Sequence, residues 1–256
     1  MKSVVILTTT YYTERSLRFH LMCQMVGNAT AQGHWVTIVD GSPNTLVQDA
    51  LMGFPRCRVI RQAEQGMGAS RRQLFAEEAK GWGIPFENLP DVCLWVEPEK
   101  ADIVRHIPAL IAPIEFGVAY IVLPKRTEVS FASYPAAQAA SERAANAVFA
   151  EVTGKEFDVM VGPVMFHEKL LRPFSYCDPK MLFGVADTYI QQIALMEAMS
   201  RDIGVASVPV DFFYPAAQRH EEETVLADAM LVKRQRQFDD LTHGFRTVAK
   251  KLKIQR

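Results

Sequence analysis

The chain has 256 residues, with 28 basic against 29 acidic side chains, 49% hydrophobic residues and 22% charged ones. That length buries a substantial core as one domain, or as one domain with a helical tail. The near-neutral balance argues against general affinity for nucleic acid or a membrane surface, and no apolar run approaches the ~20 residues of a transmembrane span.

Lys2 leads straight into a strand-like run, without signal-peptide anatomy. Cys23, Cys57, Cys93 and Cys177 are widely separated and form no Cys-x-x-Cys pair. Zinc spacing is therefore absent, and buried free thiols in a reducing, cytoplasmic setting are expected.

Residues 3–9 form a β-branched apolar run, and residues 14–25 place Leu17, Leu21 and Met25 on one helical face. Residues 35–39 read as a second strand, stopped by Asp40-Gly-Ser-Pro43, with a short helix at 45–52. A third strand at 58–61 precedes Gly66-Met-Gly68 and a strong helix over 69–79. Residues 92–96 and 119–123 are further strands, flanking a helix near 103–111. This β-α-β-α rhythm with unalternated apolar strands predicts an α/β, Rossmann-like, mainly parallel central sheet flanked by helices. Ligands of such sheets bind at the carboxyl ends of the strands, where Thr8 to Tyr11, Asp40-Gly41, Gln62 and Glu97 to Glu99 fall.

In the second half, residues 136–151 and 187–200 read as helices, and 159–166 and 206–213 as strands. Residues 223–251 form one helix or two, broken near Gly244. The economical division is one domain over 1–222 with a C-terminal helical extension, 223–256, packed on it. Lys250, Lys251, Lys253 and Arg256 make a solvated basic helix end.

The run Leu94-Trp-Val-Glu-Pro-Glu-Lys100 ends in two carboxylates one residue apart. On extended chain Glu97 and Glu99 point the same way, so both reach one hard divalent cation, magnesium or manganese, that could also bridge a diphosphate. The same residues also suit a solvated loop before a helix. Asp40 is either a turn residue or an acceptor for a nucleobase edge, with Thr8 to Tyr12 beside it. Gly66-Met-Gly-Ala-Ser-Arg-Arg72 opens a helix, where glycine permits close backbone approach and the N-terminus favours phosphate. It is no Walker motif, since no Lys-Ser or Lys-Thr follows. Arg71 and Arg72 either reach a nucleotide or solubilise a helix face. His220 is a loop histidine or a metal ligand. Asp187, after Gly184, reads on local sequence as an N-cap or first-turn carboxylate of a helix.

In this order, Thr8-Thr-Thr-Tyr11, Val39-Asp-Gly-Ser42, Gly66-Met-Gly-Ala-Ser-Arg71 and Trp95-Val-Glu-Pro-Glu99 resemble the family 2 type of nucleotide-sugar glycosyltransferases, which have the GT-A fold. Gly162-Pro-Val, Phe183-Gly-Val-Ala-Asp-Thr-Tyr189 and His220 resemble the acceptor-side half of synthases acting on glycerate or phosphoglycerate. The resemblance implies a GT-A-like glycosyltransferase moving a sugar from a nucleotide diphosphate sugar donor to an unidentified acceptor. It implies Thr9, Tyr11, Asp40, Gln62, Gly68 and Arg71 around the nucleotide, and Glu97, Glu99 and His220 around a divalent cation. Asp187 becomes the catalytic residue, as base or as orienter. Glutamates stand where the family has aspartates, Pro98 separates them, Lys100 follows, and Met67 replaces a basic residue between the glycines. Two other readings stay open: a nucleotide-binding module without turnover, and a nucleotidyltransferase, which calls for a glycine-rich loop after the first strand where Thr8 to Thr13 has none. A homo-oligomer is compatible with the sequence, which does not fix the oligomeric state.

Overall fold

The computed structural model describes residues 2–83 and 90–254; Arg256, the last residue of the basic end, lies outside them. Among the described residues seven strands form one sheet in the order β3-β2-β1-β4-β6-β5-β7. They are β1 (Val5–Thr10), β2 (Trp35–Asp40), β3 (Cys57–Arg61), β4 (Val92–Trp95), β5 (Ile121–Arg126), β6 (Val164–His167) and β7 (Val205–Val210). β1 lies parallel between β2 and β4, β3 extends that side, and β7 pairs in parallel with β5. β6 runs antiparallel to both neighbours, β4 and β5. The expectation of a mainly parallel sheet holds, with this one reversed strand at the seam.

Both faces of the sheet are covered, which explains the unalternated strands. Successive side chains point to opposite faces. Val5 and Leu7 of β1 join Cys93 and Trp95 of β4, Ile121 and Leu123 of β5, and Phe166 of β6 in one core. Val4, Ile6, Val36, Ile38, Leu94, Val122 and Met165 join the other. The second core is roofed by α1 (Leu17–Ala31), α2 (Leu46–Leu51) and α4 (Ile107–Glu115). The first is roofed by α3 (Met67–Ala79), α6 (Ala136–Thr153), α7 (Leu171–Tyr176) and α9 (Ile190–Met199), after the short α5 (Glu128–Ala132) and alongside the short α8 (Pro179–Phe183).

The C-terminal part holds α10 (Ala216–Thr224) and α11 (Ala227–Leu252). The expected break near Gly244 does not occur: α11 continues through it, and the break falls at Val225-Leu226 instead. Gly244 sits in the buried stripe Leu241, Phe245, Val248 and Ala249, and Phe245 meets Phe149 of α6 edge-on at 5.2 Å. Packing of that stripe overrides the weak helix propensity of one glycine. Among the described residues no helix is long and apolar enough to cross a membrane.

Candidate functional site

A cleft of about 830 Å³ opens at the carboxyl ends of β3, β2, β1 and β4. Thr9 and Thr10 end β1, Gly41 follows β2, Gln62 follows β3, and Glu97 to Glu99 follow β4; all of them line it. Tyr11, Gly66, Met67, Arg71 and Trp95 complete the wall. Thr9, Tyr11, Gln62, Arg71, Glu97 and Glu99 are thus brought from separate stretches of sequence onto one surface. Tyr11 is 67% exposed, so its ring is free to meet a ligand.

Asp40 belongs to the site's frame. Its Oδ1 accepts from Thr10 Oγ1 at 2.8 Å, Ser42 Oγ at 2.6 Å and Ser42 N–H at 3.1 Å, and Ser42 Oγ in turn accepts from Tyr12 N–H at 2.9 Å. The carboxylate ties the β1 and β2 strand ends together. Its Oδ2 faces Arg61 at 3.8 Å, beside a smaller hollow behind the cleft.

The glycine loop places its helix as the sequence requires. Gly66 has φ +114° at the N-cap of α3, and Gln62 Nε2 donates to the Gly66 carbonyl at 3.1 Å. Arg71, one turn in, is buried. It donates to Gln191 Oε1 at 2.9 Å and to the Thr188 carbonyl, and stacks on Trp95 at 4.7 Å. Burial pushes its guanidinium down to about 10, against the pull of Glu97, Tyr189 and Asp187, so it is charged at neutral pH. Its Nε and Trp95 Nε1 are buried without hydrogen-bond partners. Arg72 turns the other way and pairs with Asp178 at 3.4 Å and Asp187 at 3.5 Å.

Asp187 begins a short 3₁₀ turn, Asp187–Tyr189, whose N-cap position is held by Ala186. The residue is therefore a first-turn carboxylate of that short turn and not its cap. It lies against Gly68 at the start of α3, its side chain part-exposed, and neither residue is among those that line the cleft.

Each acidic residue of the Glu-Pro-Glu stretch has a cation of its own. Lys100 Nζ is 3.0 Å from Glu97 Oε2, and Arg18 is 3.5 Å from Glu99 Oε1. Glu97 Oε2 is nevertheless buried without a hydrogen bond. His220 lies within α10, exposed and outside the cleft lining. Among the described residues no group of three or more His, Cys, Asp or Glu side chains could hold a metal ion.

Three features escape sequence reasoning. Arg18 lines the cleft and donates to Glu222 of α10 at 2.7 Å, although Glu222 reads as an ordinary helix-start acid. Trp95 forms the cleft floor beneath Arg71. Arg126 is enclosed between Asp158 and Glu142 at 2.7 and 2.5 Å, and stacks on Phe131 and Tyr134. Only Arg18 left a signal: a cation in the first turn of a helix opposes the helix dipole.

No protein-family model and no curated protein matches the chain in sequence. Solved structures do match in fold. Glucosyl-3-phosphoglycerate synthase from Mycobacterium tuberculosis, in complex with Mn2+, uridine diphosphate and glucosyl-3-phosphoglycerate, aligns with TM-score 0.51 and 11% identity over 91% of this chain and 80% of its own. The same synthase with Mn2+, uridine-diphosphate-glucose and phosphoglyceric acid aligns with TM-score 0.51 and 12% identity over 91% and 79%. A mycobacterial protein aligns with TM-score 0.53 and 13% identity over 81% of this chain and 65% of its own. The α/β sheet is therefore GT-A-like, as the order of motifs implied; at such identity the likeness is one of fold.

Proposed function

We propose that the protein is a glycosyltransferase that moves a sugar from a nucleotide diphosphate sugar to an acceptor. The observation that carries this reading is the convergence of Thr9, Tyr11, Gln62, Arg71, Glu97 and Glu99 on one cleft at adjacent strand ends. Its fold neighbours, which bind Mn2+, a uridine nucleotide and a phosphoglycerate, support it by analogy.

In this reading Tyr11, Thr9 and Gln62 hold the nucleoside, and Asp40 and Gly68 shape its surroundings. Glu97 and Glu99 are hard oxygen donors of the kind that hold magnesium or manganese together with a diphosphate, and both line the cleft, where a bound cation would take the place now held by Lys100 and Arg18. A cation there supplies charge neutralisation to the departing nucleoside diphosphate. His220 on α10 is not brought to these carboxylates and takes no part in this reading. Asp187, oriented by Arg72, acts on the acceptor.

The ion pairs that occupy both glutamates favour a second reading, a module that binds nucleotide without turnover. Thermal-shift titration with uridine, guanosine and adenosine diphosphate sugars, each with and without manganese, followed by a donor-hydrolysis assay, separates the two. Joint stabilisation by donor and manganese with slow hydrolysis is expected. Stabilisation without hydrolysis or transfer to any acceptor selects the binding module, and no stabilisation by any nucleotide overturns both.

A further inference from the structure

Arg18 is the second residue of α1, at a positive helix end whose first turn holds no acidic side chain. Its two neighbours compensate that placement. Guanidinium NH2 donates to Glu222 Oε1 at 2.7 Å, whereas NH1 stands 3.5 Å from Glu99 Oε1. One edge is tightly held and the other loosely. Burial pulls the guanidinium down, but Glu99 and Glu222 outweigh it and hold it above the ordinary arginine range.

The holding edge is anchored deeply. The Glu222 side chain is 2% exposed, accepts from Gln218 Nε2 at 3.3 Å and lies 3.8 Å from Arg234 of α11. The loose edge faces the cleft, where the Arg18 side chain is 34% exposed. The other cleft arginines are placed differently. Arg71 is buried with NH1 committed to Gln191 and Thr188. Arg61 is 60% exposed at β3, against Asp40 and the Asn44 carbonyl. Arg18 alone of these three is paired with Glu99.

We propose that Arg18 donates its loose guanidinium edge to the diphosphate of the donor, and that Glu222 is the positioning residue that fixes it, so that α10 completes the donor site. This rests on the nucleotide-sugar reading above. A planar fork can serve a buried carboxylate on one edge and a phosphate oxygen on the other, which a lysine cannot do with the same geometry.

The test is calorimetric titration of the full chain, in the presence of manganese, with uridine, guanosine and adenosine diphosphates and with the matching nucleosides. Wild type should bind at least one diphosphate; failure there overturns the donor reading and this inference with it. Given binding, Arg18→Gln should weaken the diphosphate about tenfold or more, as expected for a lost charged hydrogen bond, and leave the nucleoside unchanged. Glu222→Gln should give the same selective loss, while Arg234→Gln should lower the melting temperature without it. Unchanged diphosphate affinity in Arg18→Gln overturns the proposal while the donor reading stands. Equal loss for nucleoside and diphosphate in Glu222→Gln reduces Glu222 to a structural residue.

Discussion

Gly68 and Asp187 are in contact across two motifs far apart in sequence: a Cβ on the glycine would lie 2.3 Å from Asp187 Oδ2 and 2.7 Å from the Asp187 carbonyl oxygen. The start of α3 and the turn before α9 are packed so closely that only a hydrogen fits between them. The glycine here serves close approach rather than an unusual dihedral.

Gly68→Ala should therefore displace the Asp187 turn and cost about 1–3 kcal/mol, as overpacking typically does. Because a backbone oxygen is also in the way, removing the carboxylate in a Gly68→Ala, Asp187→Ala double variant should restore only part of the loss. Urea denaturation of the three proteins measures it; full restoration would mean that the backbone contact relaxes freely.

Gly162 stands in the same relation to the acidic stretch. It has φ +97°, and a Cβ there would come within 2.3 Å of Glu97 Oε1 and 2.4 Å of Lys100 Nζ. Gly162→Ala adds backbone strain of about 1–3 kcal/mol and forces the Glu97–Lys100 pair to move. We expect lower stability together with weakened manganese-linked stabilisation by nucleotide, read by thermal shift. Wild-type manganese linkage in a folded Gly162→Ala protein would remove Glu97 from the cation site.

The enclosed Arg126 offers a test of the core. Arg126→Met should cost about 3–5 kcal/mol, since it leaves Asp158 and Glu142 buried without their cation. Burial pushes the Asp158 carboxyl up, but the hydrogen bonds and charge of Arg126, with help from Asn146, bring it below the usual aspartate range. The stabilisation it confers is present above the unfolded value near pH 4 and is lost as pH falls through the lowered folded value. Acid unfolding followed by circular dichroism should begin at higher pH in Arg126→Met than in wild type.

The thiols make the alkaline counterpart. Burial pushes Cys57 up to about 12, and burial with Glu197 and Asp178 pushes Cys177 up to about 12; burial raises Cys93 as well. At pH 8 Cys57 and Cys177 should react with a disulfide reagent on the order of a thousandfold more slowly in native protein than in urea. A raised folded value means stability is intact below pH ~9 and falls from there through pH ~12. The slope approaches about 1.4 kcal/mol per pH unit for each thiol. Cys177 is buried and Cys57 half-buried, and rapid native labelling of either would contradict that protection.

The strands of the first half were legible because burial on both faces leaves a short apolar run with turn residues after it, as at Val92–Trp95 and Trp35–Asp40. Their carboxyl ends located the cleft. The reversal of β6 was not legible, since four residues, Val164–His167, carry no sign of direction. Asp40 was recognisable at its strand end, but not its commitment to Thr10 and Ser42. The Arg18–Glu222 contact spans 204 residues, and Arg126 reaches Asp158 across 32. Such pairings leave no periodicity in the chain, because each partner separately resembles a solvated charge.

The two rims of the sheet are poor templates for another strand. β7 carries Pro209, opposite Lys125 of β5, and so lacks one amide that an added strand would need. On the far rim β3 presents Arg61, whose exposed charge resists stacking against a like copy. Growth of the sheet from one molecule into the next is thereby discouraged at both ends, and any pairing of identical copies is left to the helical faces.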